Sequence, residues 1–477
     1  MPYINEEKAT SAAQEFLEIK GSNTKTPLYE NLYQIIRDGI VHGDYQAGRK
    51  FHSKRSIAKR LGISVITVEN AFQKLKLEGY VDAQQRKGYF VKDIGTIPSD
   101  TDTSISTDVE EDDTSKMDLQ ANRANVHEFP VSTWLKLMRK VIAENPPDLF
   151  SIVPYGGLPE LRTAIANYLL RARGMQVSPS QIIVGAGTEY LYSRLIQLLG
   201  SHTKFVFENP GYQKLSQIAD NYRVPWTYCN VDKSGILVNR LRQTAGNVVH
   251  VSPANTFPGG FSMSIARRRE LLAWAYEKED RYIIEDDYDS ELRYEGNNLL
   301  PLFARDTNEK VIYLNTFSKT LMPSLRISYI ILPNSLLERY HETMSFYSCT
   351  VSGFEQRALA KFIDEGYFER HIAKLRTYYQ QQRKVVMDAI RSSNLAPISH
   401  IIENNAGTHF MLCLDTKLSG AEIKNAVAKN GIKLALLDDY CFDKHPLMEK
   451  VLVVNYASLS ADEVGKAVNK LADALTK

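Results

Sequence analysis

Residues 315–329, which read NTFSKTLMPSLRISY, place a single lysine, Lys319, shortly after the apolar run KVIYL. An amine at the end of a buried strand is a nucleophile toward carbonyl carbons once it has lost its proton. Thr316 and Ser318 precede this lysine, and Arg326 follows it seven residues later. Hydroxyl and guanidinium groups are donors to phosphate oxygens. The stretch therefore indicates a reactive lysine beside an anion-binding group.

Three other motifs contribute residues of complementary chemistry. In YIIEDDYDSE, Asp286 stands at the carboxyl end of an apolar strand, the edge that faces the ligand crevice of an α/β sheet. In VGAGTEYL, a strand, a turn at Gly187 and a helix start at Thr188 offer backbone N–H groups to a phosphate. In ENPGYQK, Tyr212 can lie flat on another ring. A lysine, a carboxylate, a phosphate cradle and an aromatic ring together meet the requirements of pyridoxal 5′-phosphate.

These motifs resemble those of the fold-type I aminotransferases, and the resemblance covers residues 119–477. It implies that Lys319 forms the internal aldimine with the cofactor and that Asp286 keeps the pyridine nitrogen protonated. It also implies that Tyr288 bonds to the phenolate oxygen and that Tyr212 stacks on the ring. The phosphate ligands that it implies are Gly187, Thr188, Thr316, Ser318 and Arg326.

Two further residues are assigned by the same resemblance. Asn255, in SPANTFPGG, would contact the ring, although the Asn-Pro-x-Gly tetrad of the family reads FPGG at residues 257–260. Tyr155, in PYGGLPELR, resembles the tyrosine that reaches the phosphate in a neighbouring subunit. The resemblance therefore implies a homodimer in which each site needs both chains.

Other polar residues near these motifs are given structural roles. Asp287 and Asp289 are expected to be solvated or to cap a helix, and His409 is expected to be a hydrogen-bonded core residue. Aminotransferases hold the substrate carboxylate with an arginine near the C-terminus, where this chain has Ser458. Lys214 is a poor replacement, because a guanidinium binds a carboxylate through two parallel hydrogen bonds and an ammonium does not. This departure lowers the expectation of efficient transamination.

The elements that must position these residues follow from the periodicity of the chain. From residue 119 onward, short apolar runs alternate with helical segments, as in QIIVGAG before TEYLYSRLIQLLG and RRRELLAWAYEKED before RYIIEDD. Such alternation favours an α/β layer with a largely parallel sheet. The length of 477 residues is too great for one ordinary domain and predicts two or three.

The N-terminal block has a different pattern. Residues 24–93 carry 13 lysines and arginines against seven acidic residues, a net charge of +6. An amphipathic helix beginning near Pro27 precedes two shorter helices, of which Gly62 ends the first and Ser64 caps the second. The segment YVDAQQRKGYFV then reads as a β-hairpin. This order predicts a winged helix-turn-helix whose second helix enters the major groove of DNA.

Residues 26–92 resemble the winged-helix domain of the GntR family, with its Pro-Leu-Tyr, Glu-Gly-Tyr and Lys-Gly-Tyr-Phe-Val elements. The fusion to an aminotransferase-like domain resembles the MocR subfamily. Val65 departs from the family, which usually has arginine after the serine. The DNA contacts that the resemblance implies are Lys54, Arg55, Ser64, Thr67, Arg86 and Lys87.

The remaining features define domain boundaries and compartment. We assign residues 1–95 to the DNA-binding domain, 96–118 to an acidic flexible linker and 119–477 to the aminotransferase-like domain. Residues 98–118 hold eight acidic residues and almost no apolar ones, too few to offset the entropy of ordering. The four cysteines lack metal-ligand spacing, so no metal site is predicted. The absence of any apolar run of about 18 residues favours a cytoplasmic protein without a membrane segment.

These observations lead to a transcription regulator that depends on pyridoxal 5′-phosphate, rather than an enzyme. Its partners would be double-stranded operator DNA, a second copy of the chain, and a small effector. The effector could be an amine, an amino acid or pyridoxal phosphate itself. The alternative is a genuine aminotransferase with an accessory DNA-binding domain, which steady turnover with an amino donor and a keto acceptor would favour.

Overall fold

A computed structural model describes residues 27–85, 87–94, 117–120, 128–144, 146–294, 300–402, 407–457 and 459–476. The chain divides between Glu111 and Asp112 into two compact units, each with its own core. Among the described residues, no helix is long and apolar enough to cross a membrane.

The N-terminal unit has three helices followed by a hairpin. The helices are α1 (Leu28–Val41), α2 (Lys54–Leu61) and α3 (Val65–Leu77), and the antiparallel strands are β1 (Val81–Gln84) and β2 (Gly88–Val91). Gly62 ends α2 with a left-handed φ of 62°, and the hydroxyl of Ser64 accepts the N–H of Thr67 at the start of α3. The predicted order of helix, turn, helix and wing is confirmed.

The second unit contains strands that form one large sheet and smaller ladders. In chain order they are β3 (Met117–Asp118), β4 (Ile182–Gly185), β5 (Phe205–Asn209), β6 (Trp226–Asp232), β7 (Gly235–Ile236), β8 (Val248–Val251), β9 (Tyr282–Asp286), β10 (Val311–Thr316), β11 (Ser328–Ile331), β12 (Ser399–Ile402), β13 (His409–Leu414), β14 (Ile432–Lys433), β15 (Ala435–Leu436) and β16 (Val451–Asn455).

The large sheet has eight strands in the order β4-β11-β10-β9-β8-β5-β6-β7. Its central strands, from β10 through β9, β8 and β5 to β6, pair in parallel, whereas β11 runs antiparallel to both of its neighbours. The predicted α/β layer with a largely parallel sheet is confirmed. Strands β4, β5, β8, β9 and β10 all point the same way, so their carboxyl ends share one edge.

Helices cover this sheet and carry the chain between strands. They are α4 (Val131–Glu144), α5 (Pro146–Leu149), α6 (Pro159–Arg173), α7 (Thr188–Leu199), α8 (Lys214–Asn221), α9 (Val238–Leu241), α10 (Ile265–Tyr276), α11 (Asn334–Met344), α12 (Gly353–Asp364), α13 (Tyr367–Arg391), α14 (Gly420–Lys429) and α15 (Ala461–Leu475). Short 3-10 turns lie at Pro179–Gln181, Ser290–Leu292, Phe303–Arg305, Pro323–Leu325, Ala396–Ile398, Leu437–Tyr440 and Met448–Lys450.

A smaller sheet, in the order β12-β13-β16-β15, forms the C-terminal part of the unit. Beside it, β3 pairs in parallel with β14 through Met117 and Asp118. The last two residues of the segment assigned as linker are therefore strand residues of the second unit. The ladder leads directly into Leu119, whose carbonyl accepts the N–H of Asn455 at 3.1 Å.

Candidate functional site

The carboxyl edge of the large sheet holds a cavity of about 390 Å³. Residues that follow β4, β5, β8, β9 and β10 line it, as the parallel arrangement of these strands requires. Eight of the residues predicted from the sequence meet here: Thr188, Tyr212, Asp286, Tyr288, Thr316, Ser318, Lys319 and Arg326.

Lys319 lies in the turn after β10, at the base of this cavity. Burial lowers the pKa of its ammonium to about 8, against the opposing pull of the carboxylates of Asp289 and Asp286. A pKa in this range leaves a useful fraction of neutral amine near neutral pH, which is the form that attacks a carbonyl. The environment therefore supports the nucleophilic role that the sequence predicted.

Asp287 and Asp289 were expected to be solvated or to cap a helix, and the solvated alternative is wrong because both are buried. Asp289 does precede the 3-10 turn Ser290–Leu292, but its side chain makes no capping hydrogen bond there. Asp287 is buried and lies 2.8 Å from the guanidinium of Arg173, while Tyr313 donates a hydrogen bond of 2.6 Å to the same carboxylate. Asp289 is also buried, and burial raises its pKa to about 8. The local sequence around Asp287 and Asp289 is typical of an exposed turn. It cannot reveal their burial, because the residues that bury them come from distant segments.

Asp286 ends β9 with its side chain at the cavity. Nε2 of His250, on the adjacent strand β8, lies 3.4 Å from Oδ2 of this carboxylate. At this distance the contact is electrostatic rather than a close hydrogen bond. The other oxygen, Oδ1, is buried without a hydrogen-bond partner among the described residues. Asp286 thus keeps an acceptor for a proton carried by a ligand in the cavity.

Gly187 lies against the guanidinium of Arg326, which lines the cavity. Gly187 precedes α7 with a left-handed φ of 96°, and a methyl group added there would lie 2.5 Å from Nη2 of Arg326. The N–H of Gly187 donates to the carbonyl of Gly185 at 2.8 Å, so phosphate donors at this turn must come from the residues that follow. Thr188 begins α7, and the first N–H groups of a helix lack partners within it.

Two residues with hydroxyl groups, Thr316 and Ser318, precede Lys319 and also line the cavity. Thr316 accepts hydrogen bonds from the hydroxyl of Ser328 at 2.8 Å and from the N–H of Ser318 at 3.2 Å. The Oγ atom of Ser318 is buried without a hydrogen-bond partner among the described residues. A buried hydroxyl that lacks a partner is costly unless a ligand satisfies it. Ser318 is therefore suited to donate to a phosphate oxygen.

Aromatic side chains form another wall. Phe257 packs edge-on against Tyr212, Tyr440 and His409, with ring centroids 6.1, 5.0 and 5.6 Å away. Nε2 of His409 donates to the carbonyl of Pro258 at 3.0 Å, and burial lowers its pKa to about 4. The expectation of a hydrogen-bonded core histidine is confirmed, and His409 also lines the cavity. Phe257 and Tyr440 were not predicted, because their contacts join distant segments.

Tyr288 and Asn255 are hydrogen-bonded to each other. The hydroxyl of Tyr288 donates to the carbonyl of Asn255 at 3.1 Å, and Nδ2 of Asn255 donates to Asp289 at 2.7 Å. Burial raises the pKa of Tyr288, so its hydroxyl keeps its proton. Asn255 therefore orients Tyr288 and Asp289.

Of the residues predicted to bind the cofactor, Gly187, Asn255 and Tyr155 are not among those that line this cavity. The hydroxyl of Tyr155 bonds to Nδ1 of His341 on α11, and Tyr155 is not among the residues that line this cavity. Ser458 lies outside the described residues. Lys214 pairs with Glu189, its Nζ lying 2.7 Å from Oε1. Glu189 lines the cavity, and its second oxygen is 3.9 Å from Nη2 of Arg326.

The predicted DNA-contacting residues lie on α2, on α3 and in the wing. Arg55 and Lys87 are exposed, whereas Lys54 pairs with Glu69 of α3 at 2.6 Å. Ser64 and Thr67 form the cap of α3, with their hydroxyls 2.8 Å apart. Arg86 lies outside the described residues.

Comparison with known families assigns both units. Residues 28–91 match the family of bacterial regulatory proteins named gntR, and residues 114–471 match the class I and II aminotransferases. The uncharacterized HTH-type transcriptional regulator YdeL of Bacillus subtilis is 34% identical over 449 residues, which cover 93% of this chain and 96% of YdeL. The chain belongs to the MocR-type regulators of the GntR family.

Other relatives of this MocR-type regulator align with it over most of both chains. The probable rhizopine catabolism regulatory protein MocR of Rhizobium meliloti is 28% identical, with 94% of each chain covered. The pyridoxine biosynthesis regulator PdxR of Corynebacterium glutamicum is 29% identical, with 87% of this chain and 89% of PdxR covered. These relatives confirm the prediction of a transcription regulator.

Solved structures confirm the fold of the second unit. The multiple substrate aminotransferase of Thermococcus profundus has a TM-score of 0.68 at 23% identity, covering 78% of this chain and 95% of that one. An archaeal alanine:glyoxylate aminotransferase also has a TM-score of 0.68 at 23% identity, covering 76% and 91%. This MocR-type regulator therefore contains the fold-type I aminotransferase architecture.

The cofactor of this architecture is pyridoxal 5′-phosphate, which supplies an aldehyde and a ring that withdraws electrons. The residues of this MocR-type regulator fit it. Lys319 offers an amine of lowered pKa, Asp286 offers a buried carboxylate oxygen without a hydrogen-bond partner among the described residues, and Ser318 offers a similarly placed hydroxyl. A side chain at position 187 would collide with Arg326, so glycine keeps this corner open.

Proposed function

We propose that this MocR-type regulator couples operator DNA binding to occupancy of the cavity by pyridoxal phosphate or by an amine effector, without efficient transamination. The observation that carries the proposal is the arginine content of the cavity. Arg326 is the one arginine among the described lining residues, and it lies against Gly187, where the phosphate would bind. The bidentate partner that a substrate carboxylate needs is missing from this set.

The residue roles in this proposal are those inferred from the sequence. Lys319 would bind the aldehyde, Asp286 the ring nitrogen, Tyr288 the ring oxygen, and Tyr212 would cover the ring. Asn255 is the exception: the sequence implied a contact with the ring, but Asn255 is not among the lining residues and would act by orienting Tyr288. The phosphate would be held by Thr188, Thr316, Ser318 and Arg326. The N–H of Gly187, which the sequence also implied as a phosphate donor, instead donates to the carbonyl of Gly185.

The two activities would be linked through the domains assigned above: residues 1–95 for DNA, 96–118 as linker and 119–477 for the cofactor. An effector that binds one arrangement of the domains better than another shifts the population toward that arrangement. The coupling is reciprocal, so an effector that weakens operator binding must itself bind less well to the DNA-bound protein. PdxR, by its name a regulator of pyridoxine biosynthesis, supports pyridoxal phosphate itself as one candidate effector.

A homodimer is part of the proposal. Tyr155 lies away from the cavity of its own chain, as a residue that serves a neighbouring subunit would. Phe150 and Ile152, close to it in the chain, are 77% and 84% exposed. Large exposed apolar side chains of this kind are typical of interfaces. Light scattering of the full chain, with and without the double substitution F150S/I152S, would test this arrangement.

The central test is a spectral titration of the full chain with pyridoxal phosphate, followed by candidate amines, with DNA binding measured in parallel. We expect the absorbance of lysine-bound cofactor in the wild type and its loss in Lys319→Ala. A matched control is Lys310→Ala, since Lys310 instead donates to the carbonyl of Glu279. Absence of this band in the wild type, or DNA binding that ignores both cofactor and amines, would contradict the proposal.

The second candidate function is a genuine aminotransferase. The lowered pKa of Lys319 and the retained Asp286 favour it, because both serve turnover as well as binding. Steady conversion of an amino donor and a keto acceptor, at a rate that Lys319→Ala abolishes, would establish it. A response of DNA binding to the cofactor without turnover would exclude it in favour of the sensor.

A further inference from the structure

The second helix of the helix-turn-helix exposes apolar side chains at its start. Helix α3 turns one face to the core, and Ile66, 69% exposed, lies on the opposite face. Val65, in the same first turn, lies at the border of the buried face and is 40% exposed. Asn70 and Gln73, four and seven residues after Ile66, are exposed on the same side. The buried face consists of Val68, Ala71, Phe72 and Leu75.

The first turn of this helix is held firmly. Ser64 accepts the N–H of Thr67 at 3.0 Å, and the two hydroxyls lie 2.8 Å apart. Val65 and Ile66 stand between these two residues and are β-branched, so each has few side-chain conformations. The N-terminal residues of the recognition helix are those that contact base edges in this motif. The apolar pair is therefore presented in a fixed position to the major groove.

The exposed face of α3 lacks the side chains that most often recognise guanine. Residues 65–73, VITVENAFQ, contain no lysine or arginine, the side chains that pair with guanine O6 and N7. Glu69, which could accept from cytosine, is engaged by Lys54 at 2.6 Å. Apolar side chains contact the C5-methyl group of thymine, and asparagine or glutamine pairs with adenine.

We propose that α3 selects A·T base pairs by packing Val65 and Ile66 against thymine methyl groups, with Asn70 placed to pair with adenine. The inference rests on the proposed function, since it requires that the N-terminal unit binds an operator. Contact of the same apolar pair with another protein is the competing explanation.

The experiment begins with selection of binding sites from a random duplex library by the full-length protein. We expect enriched sites with A·T pairs where α3 lies, located by footprinting. Deoxyuridine, which lacks the methyl group, is then substituted for each thymine. Wild-type affinity should fall by about fourfold for each contacted methyl. A 5-methylcytosine·guanine pair at the same position separates the methyl contact from readout of the adenine.

Variants assign the effect to residues. Ile66→Ala and Val65→Ala should each lose discrimination only at the methyl group that the replaced side chain contacts. At that position each variant should bind thymine and deoxyuridine equally, at the lower affinity of the wild type for that deoxyuridine site. Leu77→Ala is the matched control, because Leu77 is 87% exposed at the far end of the same helix and should leave the discrimination intact. Both test residues are exposed, so their truncation leaves the core of the unit unchanged.

The outcomes separate the inference from the function on which it rests. Three outcomes would each overturn the inference alone: enriched sites with G·C pairs under α3, equal wild-type affinity for thymine and deoxyuridine, or discrimination at every methyl group that survives in both Ile66→Ala and Val65→Ala. A selection that enriches no sequence would overturn the proposed operator binding together with it. Loss of self-association in Ile66→Ala, without any change in base preference, would assign the apolar pair to a protein contact instead.

Discussion

The guanidinium of Arg173 lies 2.8 Å from the carboxylate of Asp287, and both side chains are almost completely buried. Arg173 ends helix α6, whereas Asp287 directly follows the cavity residue Asp286. Arg173 also donates to the hydroxyl of Ser290. The two contacts fix the backbone on both sides of Tyr288, so the geometry of the cavity depends on a residue of a distant helix.

Removing this ion pair should destabilise the second unit. Arg173→Gln leaves the Asp287 carboxylate buried without its charge partner, which typically costs about 3–5 kcal/mol. Thermal unfolding of the full chain measures the change. Arg171→Gln is the control, because Arg171 lies on the same turn of α6 and pairs with Glu369 at the surface. Equal melting temperatures for the two variants would contradict a supporting role for Arg173.

Asp289 should make stability depend on pH. Burial raises its pKa to about 8, so between its ordinary pKa and pH 8 the folded chain keeps a proton that the unfolded chain has lost. Stability therefore falls as pH rises through this window, with a slope of up to about 1.4 kcal/mol per pH unit. Asp289→Asn removes this slope and should gain stability over the wild type from pH 5 to 8.

The measurement is the melting temperature of the wild type and of Asp289→Asn at each pH. Glu208 and Glu285, whose pKa values burial raises to about 8 and about 7, contribute a trend of the same sign in both proteins and cancel in the difference. The control is Asp388→Asn, which changes a half-exposed carboxylate on α13. Its melting temperature should depend on pH as that of the wild type does. If the melting temperature of Asp289→Asn instead varied with pH as that of the wild type does, Asp289 would be ionised over the whole pH range tested.

Glu189 should weaken cofactor binding. Its carboxylate lies on the first turn of α7, 2.7 Å from Lys214 and 3.9 Å from Arg326, so it opposes a second anion at the same helix start. We expect Glu189→Gln to bind pyridoxal phosphate roughly three- to tenfold more tightly at low salt, and less so at high salt. The absorbance titration of lysine-bound cofactor measures this.

The control for this change is Glu277→Gln. Glu277 pairs with Arg242 and Arg281 near the amino end of β9, the opposite edge of the sheet from the cavity. Glu277→Gln removes the same charge as Glu189→Gln and should leave the affinity for pyridoxal phosphate unchanged. Weaker binding by Glu189→Gln would mean that the carboxylate instead holds Arg326 and Lys214 in place for the phosphate.

Arg55 and Lys54 should contribute differently to DNA binding. Arg55 is exposed, and its replacement by alanine should lower the slope of log affinity against log salt by about 0.9 if it meets one phosphate. Lys54→Ala should cost less, because Lys54 must first give up its 2.6 Å contact with Glu69. Lys233→Ala, an exposed site of the second unit, controls for net charge. Equal effects of all three changes would contradict the docking of α2 on DNA.

Much of the cavity could be predicted because its residues occupy strand ends. Asp286 ends β9, and Lys319 follows β10 by three residues, so local sequence shows both the strand and the point where it stops. Parallel strands bring such ends to one edge, which makes their proximity a consequence of topology. The same reasoning located Gly187 and Thr188 after β4.

Asp289 and Glu189 could not be assigned in this way. The burial of Asp289 depends on Asn255, 34 residues away, and the environment of Glu189 on Lys214 and Arg326. These contacts form only when distant segments pack together, and no local pattern encodes them.

The sequence by itself determined the two kinds of domain, and it predicted the lysine, the carboxylate and the arginine proposed for the cofactor and the helix proposed to enter DNA. Those features are set by local periodicity and by residue type at the ends of elements. Tertiary structure alone decided which carboxylates are buried, which cations are already paired, and that Val65 and Ile66 face outward. Burial and charge pairing are properties of the packed chain, because they depend on which distant segments exclude water from a side chain.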